Sequence, residues 1–131
     1  MLRSLTLTLA AVALPLAGTT GVATAEPASP CAYNLSPPQV VQLSGTDVVT
    51  ATLSPAACDQ SNVFLSVACL QIQGGAGPGR CEQNNGPLVA QVYYAPYKPG
   101  ATYVSTGRGC ASKGNPPQSF CQPVGPLTAT L

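Results

Sequence analysis

Proline and glycine interrupt this chain so often that it has no room for a long helix. There are 14 Pro and 13 Gly in 131 residues. Beyond residue 25 no eleven-residue stretch carries apolar side chains at spacings of three and four, so a helix of more than two turns is excluded. Short β-branched and aromatic runs stand between the breaks, each bounded by turn residues. Asp47–Leu53 alternates, with Val49, Ala51 and Leu53 on one face. Val63–Ile72 is nearly all apolar, as a central strand would be, and Leu88–Tyr94, Ala101–Thr106 and Leu127–Leu131 read as further strands. Ala32–Leu35 and Val40–Leu43 form one edge strand split at Pro37-Pro38, since proline is tolerated at sheet edges. Ser44-Gly45-Thr46 and Asn85-Gly86 read as tight turns, and Gly74–Gly79 as a plain loop. It is no phosphate cradle, because no Gly-Lys-Ser/Thr follows and no helix begins there. Six or seven short strands in about 100 residues describe an all-β sandwich.

The first 25 residues have a different character. Arg3 precedes an apolar stretch from Leu5 to Leu16, and small residues lead to Ala23-Thr24-Ala25. That order predicts an export signal peptide over 1–25, with the mature chain starting at Glu26. The apolar stretch is too short to span about 30 Å of hydrocarbon and contains Pro15, so no stable membrane anchor is expected after cleavage. Thr19 stands where a lipidated cysteine would be needed. The expected organisation is one β-sandwich domain over 26–131 with a flexible tail at 26–30, secreted to the extracellular space or the cell wall. In the mature chain Arg80, Lys98, Arg108 and Lys113 balance Glu26, Asp47, Asp59 and Glu82. With 7% charged residues there is no basic stripe for nucleic acid.

All six cysteines, Cys31, Cys58, Cys69, Cys81, Cys110 and Cys121, follow the leader, and an even number in an exported chain points to disulfides. Fifteen pairings are open. Spacing favours Cys69 with Cys81 and Cys110 with Cys121, each closing a surface loop of about a dozen residues and removing about 3 kcal/mol of unfolded-chain entropy. Cys31 with Cys58 then remains. No C-x₂-C pairs suggest a metal site or a redox motif, so no metal or other cofactor is expected.

Tyr97-Lys-Pro-Gly-Ala-Thr-Tyr103 resembles the corner of fibronectin type III and related immunoglobulin-like sandwiches. There a Pro-Gly turn leads into a strand whose Tyr hydroxyl bonds back to the backbone, and the resemblance assigns these corner roles to Pro99, Gly100 and Tyr103. It implies an immunoglobulin-like sandwich of about seven short strands, disulfide-stapled. The pairs Cys69-x₁₁-Cys81 and Cys110-x₁₀-Cys121 are similar to the two local bridges of the neocarzinostatin family of secreted actinobacterial chromophore-binding apoproteins. Cys31 and Cys58 have no counterpart in that family, and its Trp is missing here. This resemblance implies a cleft for an apolar ligand, and the leader and composition suggest a small exported protein of an actinobacterial source.

Catalysis is not expected. There is no His to activate a serine. Lys98 and Lys113 neighbour Gly and Pro in expected loops, where an ammonium stays solvated and protonated. Each of the four carboxylates reads as a solvated turn or tail group. The cluster Tyr93, Tyr94 and Tyr97 with Lys98 reads first as core and corner packing; for binding it is the aromatic patch that stands out, because tyrosine offers a large contact area with a polar tip. On a strand Tyr93 and Tyr94 face opposite ways. The candidate binding residues are Tyr94, Tyr97, Arg80 and Arg108. The leading expectation is a non-catalytic secreted binding or structural module displaying disulfide-closed loops to a protein partner. The alternatives are a carrier of a small apolar ligand, and an enzyme inhibitor presenting Gly114–Gln118 or Pro78-Gly79-Arg80 as a rigid loop.

Overall fold

The computed structural model describes residues 30–131 together with Gly18, so the expected leader at 1–25 and most of the tail at 26–30 lie outside the described residues. The described chain is all-β. Its strands in order are β1 (Cys31–Leu35), β2 (Gln39–Leu43), β3 (Thr46–Cys58), β4 (Ser61–Ile72), β5 (Arg80–Asn85), β6 (Ala90–Tyr94), β7 (Thr102–Lys113) and β8 (Gln118–Thr130). They form two antiparallel sheets, one built on β3 with β1, β2 and β6, the other in the order β5-β4-β7-β8.

In the first sheet β1 and β2 lie end to end along one edge of β3, and β6 takes the other edge. Pro37 and Pro38 have no N–H to donate, so the ladder cannot run straight through them. Ser36 fills the gap. Its N–H donates to Thr52 O at 2.9 Å, and its Oγ accepts the Thr52 N–H at 2.8 Å. The β2–β3 turn places Ser44 at φ 52° and Gly45 at φ 79°, the left-handed pair that matches strand twist in a two-residue hairpin.

The core lies between the sheets. Val49, Ala51 and Leu53 of β3 join Ala90 and Val92 of β6, facing Ala68 and Leu70 of β4 and Tyr103 and Ala111 of β7. Two glycines let the layers close. A Cβ on Gly107 would stand 2.8 Å from Leu53, and one on Gly109 would stand 2.2 Å from the Tyr33 ring.

Four strands are longer than expected from sequence, whereas β6 begins two residues after the expected Leu88. β3 and β8 have 13 residues each, and β4 and β7 have 12 each. β5 is not among the expected strands; Arg80–Asn85 contains no β-branched residue and is a strand because every residue of β4 from Leu65 to Leu70 pairs with it. The chain between Cys110 and Cys121 is likewise no floppy loop. Ala111–Lys113 pairs with Gln118–Phe120, which leaves only 114–117 as the turn. β8 also runs through Pro123 and Pro126, which an outermost strand can absorb.

The bridges are Cys31–Cys58, Cys69–Cys81 and Cys110–Cys121, and no free cysteine remains among the described residues. Each joins residues directly opposite in the strand register, with Cα atoms 4.1 Å apart. They staple neighbouring strands, rather than clipping unsupported loops as the spacing suggested.

Candidate functional site

The register separates the two hairpin loops. Ile72 pairs with Tyr103 at one end of the second sheet, and Ser61 pairs with Lys113 at the other. The 73–79 loop and the 114–117 turn therefore sit at opposite ends of the molecule. The two segments considered as inhibitor loops cannot act on one surface.

At the 73–79 end a small cleft of about 130 Å³ opens between Gly75, Ala76, Gly77 and Gly79 of the loop, Ile72, Tyr94 and Lys98. Tyr94 is the last residue of β6, paired with Val49, and its side chain is half-buried. Its ring meets Tyr103 edge-on, with centroids 5.8 Å apart and planes at 76°. The Arg80 guanidinium stands 6.0 Å from the same ring's centroid, within reach of a cation–π attraction. Tyr93 is turned the other way, 37% exposed and paired with Thr50.

The corner holds Lys98. Tyr103 is fully buried, and its hydroxyl accepts the Lys98 backbone N–H at 3.0 Å. Gly100, at φ 83°, donates its N–H to Leu131 O, and Leu131 N–H returns to Ala101 O at 3.1 Å. The loop is tied at its base. Gln73 N–H donates to Thr102 O at 2.8 Å and Gly75 N–H to Ile72 O at 3.0 Å, while Gly79 lies so close to Leu70 O that a Cβ would be 2.4 Å from it. Cys69–Cys81 braces the strands just below.

Charge here is one-sided. The ion pair among the described residues, Lys113 Nζ to Asp59 at 3.3 Å, lies at the other end and is largely exposed. Glu82 follows two residues after Arg80 on β5 but makes no ion pair with it. Arg80 stands over the Tyr94 ring, Lys98 lines the cleft beside that ring, and no carboxylate is among the lining residues.

Of the residues singled out from sequence, Arg80 and Tyr94 come together, and Lys98 joins them. Tyr97 packs against the core instead of standing open. Arg108 pairs with Val67 and Pro123 in mid-sheet, away from the cleft. The Gly-rich loop, read as plain, lines the site. Its glycines carried no signal of this, because only the packing of one sheet on the other brings β6 beneath them. The most exposed large apolar side chains, Leu88 at 58% and Val89 at 50%, lie on the β5–β6 connection at the far end. Among the described residues no three His, Cys, Asp or Glu cluster as metal ligands, and no helix is long and apolar enough to cross a membrane.

Comparison with known proteins adds no relative. No family model matches the chain, and neither a curated protein nor a solved structure gives a significant match.

Proposed function

We propose that this is an extracellular, non-catalytic binding module whose cleft takes a carboxylate group presented by a partner. The observation that carries the reading is Lys98 lining the cleft beside Tyr94, with Arg80 just outside the lining over the same ring and no acidic side chain in the lining. Guanidinium and ammonium groups donate charge-assisted hydrogen bonds to carboxylates, which are stronger than neutral ones. The three disulfides suit an oxidising compartment. The Cys69–Cys81 staple limits the ordering entropy that the loop would lose on binding. The immunoglobulin-like reading is supported by the two-sheet strand order and by the Tyr103–Lys98 bond at the start of β7.

Size sets this cleft apart from one that would enclose an apolar molecule. Sites that enclose drug-sized ligands measure roughly 300–1,000 Å³, and this cleft is about 130 Å³. It admits one functional group. The non-catalytic part rests on chemistry. With no imidazole, catalysis would need a desolvated lysine or a close carboxylate pair, and Lys98 is exposed while Asp59 is paired to Lys113.

Amide-resolved NMR titration with benzoate, and with neutral benzamide as control, tests the proposal. Saturable shifts confined to the 72–80 segment, Tyr94 and Lys98 are expected with benzoate, and are expected to be lost in Arg80→Gln. Equal responses to both compounds, or shifts elsewhere, would refute it.

A further inference from the structure

Gly109 sits in the middle of β7, paired with Ser66 of β4 on one side and Gln122 of β8 on the other. Its missing side chain admits the ring of Tyr33 from the opposite sheet. A Cβ at Gly109 would lie 2.2 Å from both Cε1 and Cζ of that ring. The phenol end is therefore lodged between Ser66 and Gln122, whose β-carbons lie roughly 5 Å from Gly109 by the spacing of paired strands. Tyr33 Oη, Ser66 Oγ and Gln122 Oε1 are all buried, and none has a hydrogen-bond partner among the described residues. They are the only buried side-chain polar atoms among the described residues left in that state, and all three fall on this one rung.

Orphaned polar atoms are rare inside folded proteins because each costs its full desolvation. None of the three bonds another directly. Two hydrogen bonds of about 2.8 Å meeting at a tetrahedral centre span roughly 4.6 Å; Ser66 and Gln122 stand on either side of β7, two strand spacings apart, so the longer Gln122 side chain reaches across β7 for one water to meet both. The chemistry of the set is complementary to one molecule. An amide oxygen only accepts, while each hydroxyl can donate or accept. Water can donate twice and accept once here, about the three bonds that a buried water typically makes.

We propose that Tyr33, Ser66 and Gln122 bind one internal water molecule between the sheets. It donates to Gln122 Oε1 and Ser66 Oγ and accepts from the Tyr33 hydroxyl. It would add a polar tie across the sandwich to the Ser105 Oγ–H bond to Ser36 O at 2.9 Å and the Cys31 Sγ–Ser61 Oγ contact at 3.0 Å. Burial raises the Tyr33 pKa above its ordinary value of 10.0, which keeps the hydroxyl protonated as a donor. The site is independent of the cleft.

The sign of a substitution effect tests this. If the hydroxyls were true orphans, Tyr33→Phe and Ser66→Ala would each raise the urea midpoint or leave it unchanged. If they share a water, each lowers the midpoint, and the double variant loses less than the sum of the two. Raised, unchanged or strictly additive midpoints would overturn the proposal. A high-resolution crystal structure of the unmodified protein gives a second readout. One ordered water bonded to the three oxygens supports the site, whereas a dry rung or direct bonds among the side chains refutes it.

Discussion

Tyr103→Phe isolates a single hydrogen bond. The Phe ring would keep the fully buried position and the edge-on contact with Tyr94 at 5.8 Å. What disappears is the acceptor for the Lys98 backbone N–H, now 3.0 Å away. A buried donor left without a partner costs about 1–3 kcal/mol. Lys98 is exposed, so water can partly re-solvate its amide, and the expected loss is about 1–2 kcal/mol at the lower end of that range. For a domain of this size that corresponds to a fall of about 5–10 °C in Tm. Tyr97→Phe keeps the ring that packs against the core and should cost under about 0.5 kcal/mol. Lys98→Ala retains the backbone amide and should also leave stability nearly unchanged. Urea and thermal melts of all three variants, with disulfides intact, make the comparison. Losses under about 0.5 kcal/mol for both Tyr variants would mean that the hydroxyl does not hold the corner.

Gly109→Ala drives a methyl group into the Tyr33 ring, where the contact would be 2.2 Å. Overpacking of this kind costs about 1–3 kcal/mol, to be read from the same melts. Thiol labelling of the unfolded, unreduced protein should find no free cysteine, and peptide mapping should return the three cross-strand pairs; more than trace labelling would contradict the bridges. Stability should be insensitive to Tyr33 ionisation through neutral pH and fall as pH rises past about 10, because the unfolded chain then releases a proton that the buried Tyr33 retains. Melts from about pH 9 to about pH 11 should show this slope reduced in Tyr33→Phe. Lys113→Ala should change stability by under about 0.5 kcal/mol, since its ion pair with Asp59 is solvent-exposed.

Local chemistry made part of this fold legible. The alternation in Asp47–Leu53 placed Val49, Ala51 and Leu53 in the core, and Pro37-Pro38 marked a broken edge strand, as the pairing with β3 bears out. Strand ends were less readable. Arg80–Asn85 has no β-branched side chain and pairs only because β4 offers it a complete ladder. Gln118–Val124 was hidden by Pro123 and its polar residues, which an edge strand tolerates. The cleft was half visible. Tyr94 and Arg80 were candidates for their chemistry, but their approach depends on β5 and β6 lying in different sheets, which no residue pattern encodes. Tyr97 and Arg108 had the same chemistry and went elsewhere, one into the core margin and one to mid-sheet.

The cross-strand bridges also act as a check on alignment during oxidation. Side chains alternate faces along a strand, so a slip of one residue turns one cysteine of a pair to the opposite side of its sheet. A slipped β4–β5 or β7–β8 pairing therefore brings no sulfur opposite Cys69 or Cys110, and oxidation cannot trap it. Only the correct alignment is locked. Because every bridge stays within one sheet, this proofreading can be completed before the two layers meet, and their docking is left to packing through Leu53, Tyr33 and the two glycines of β7.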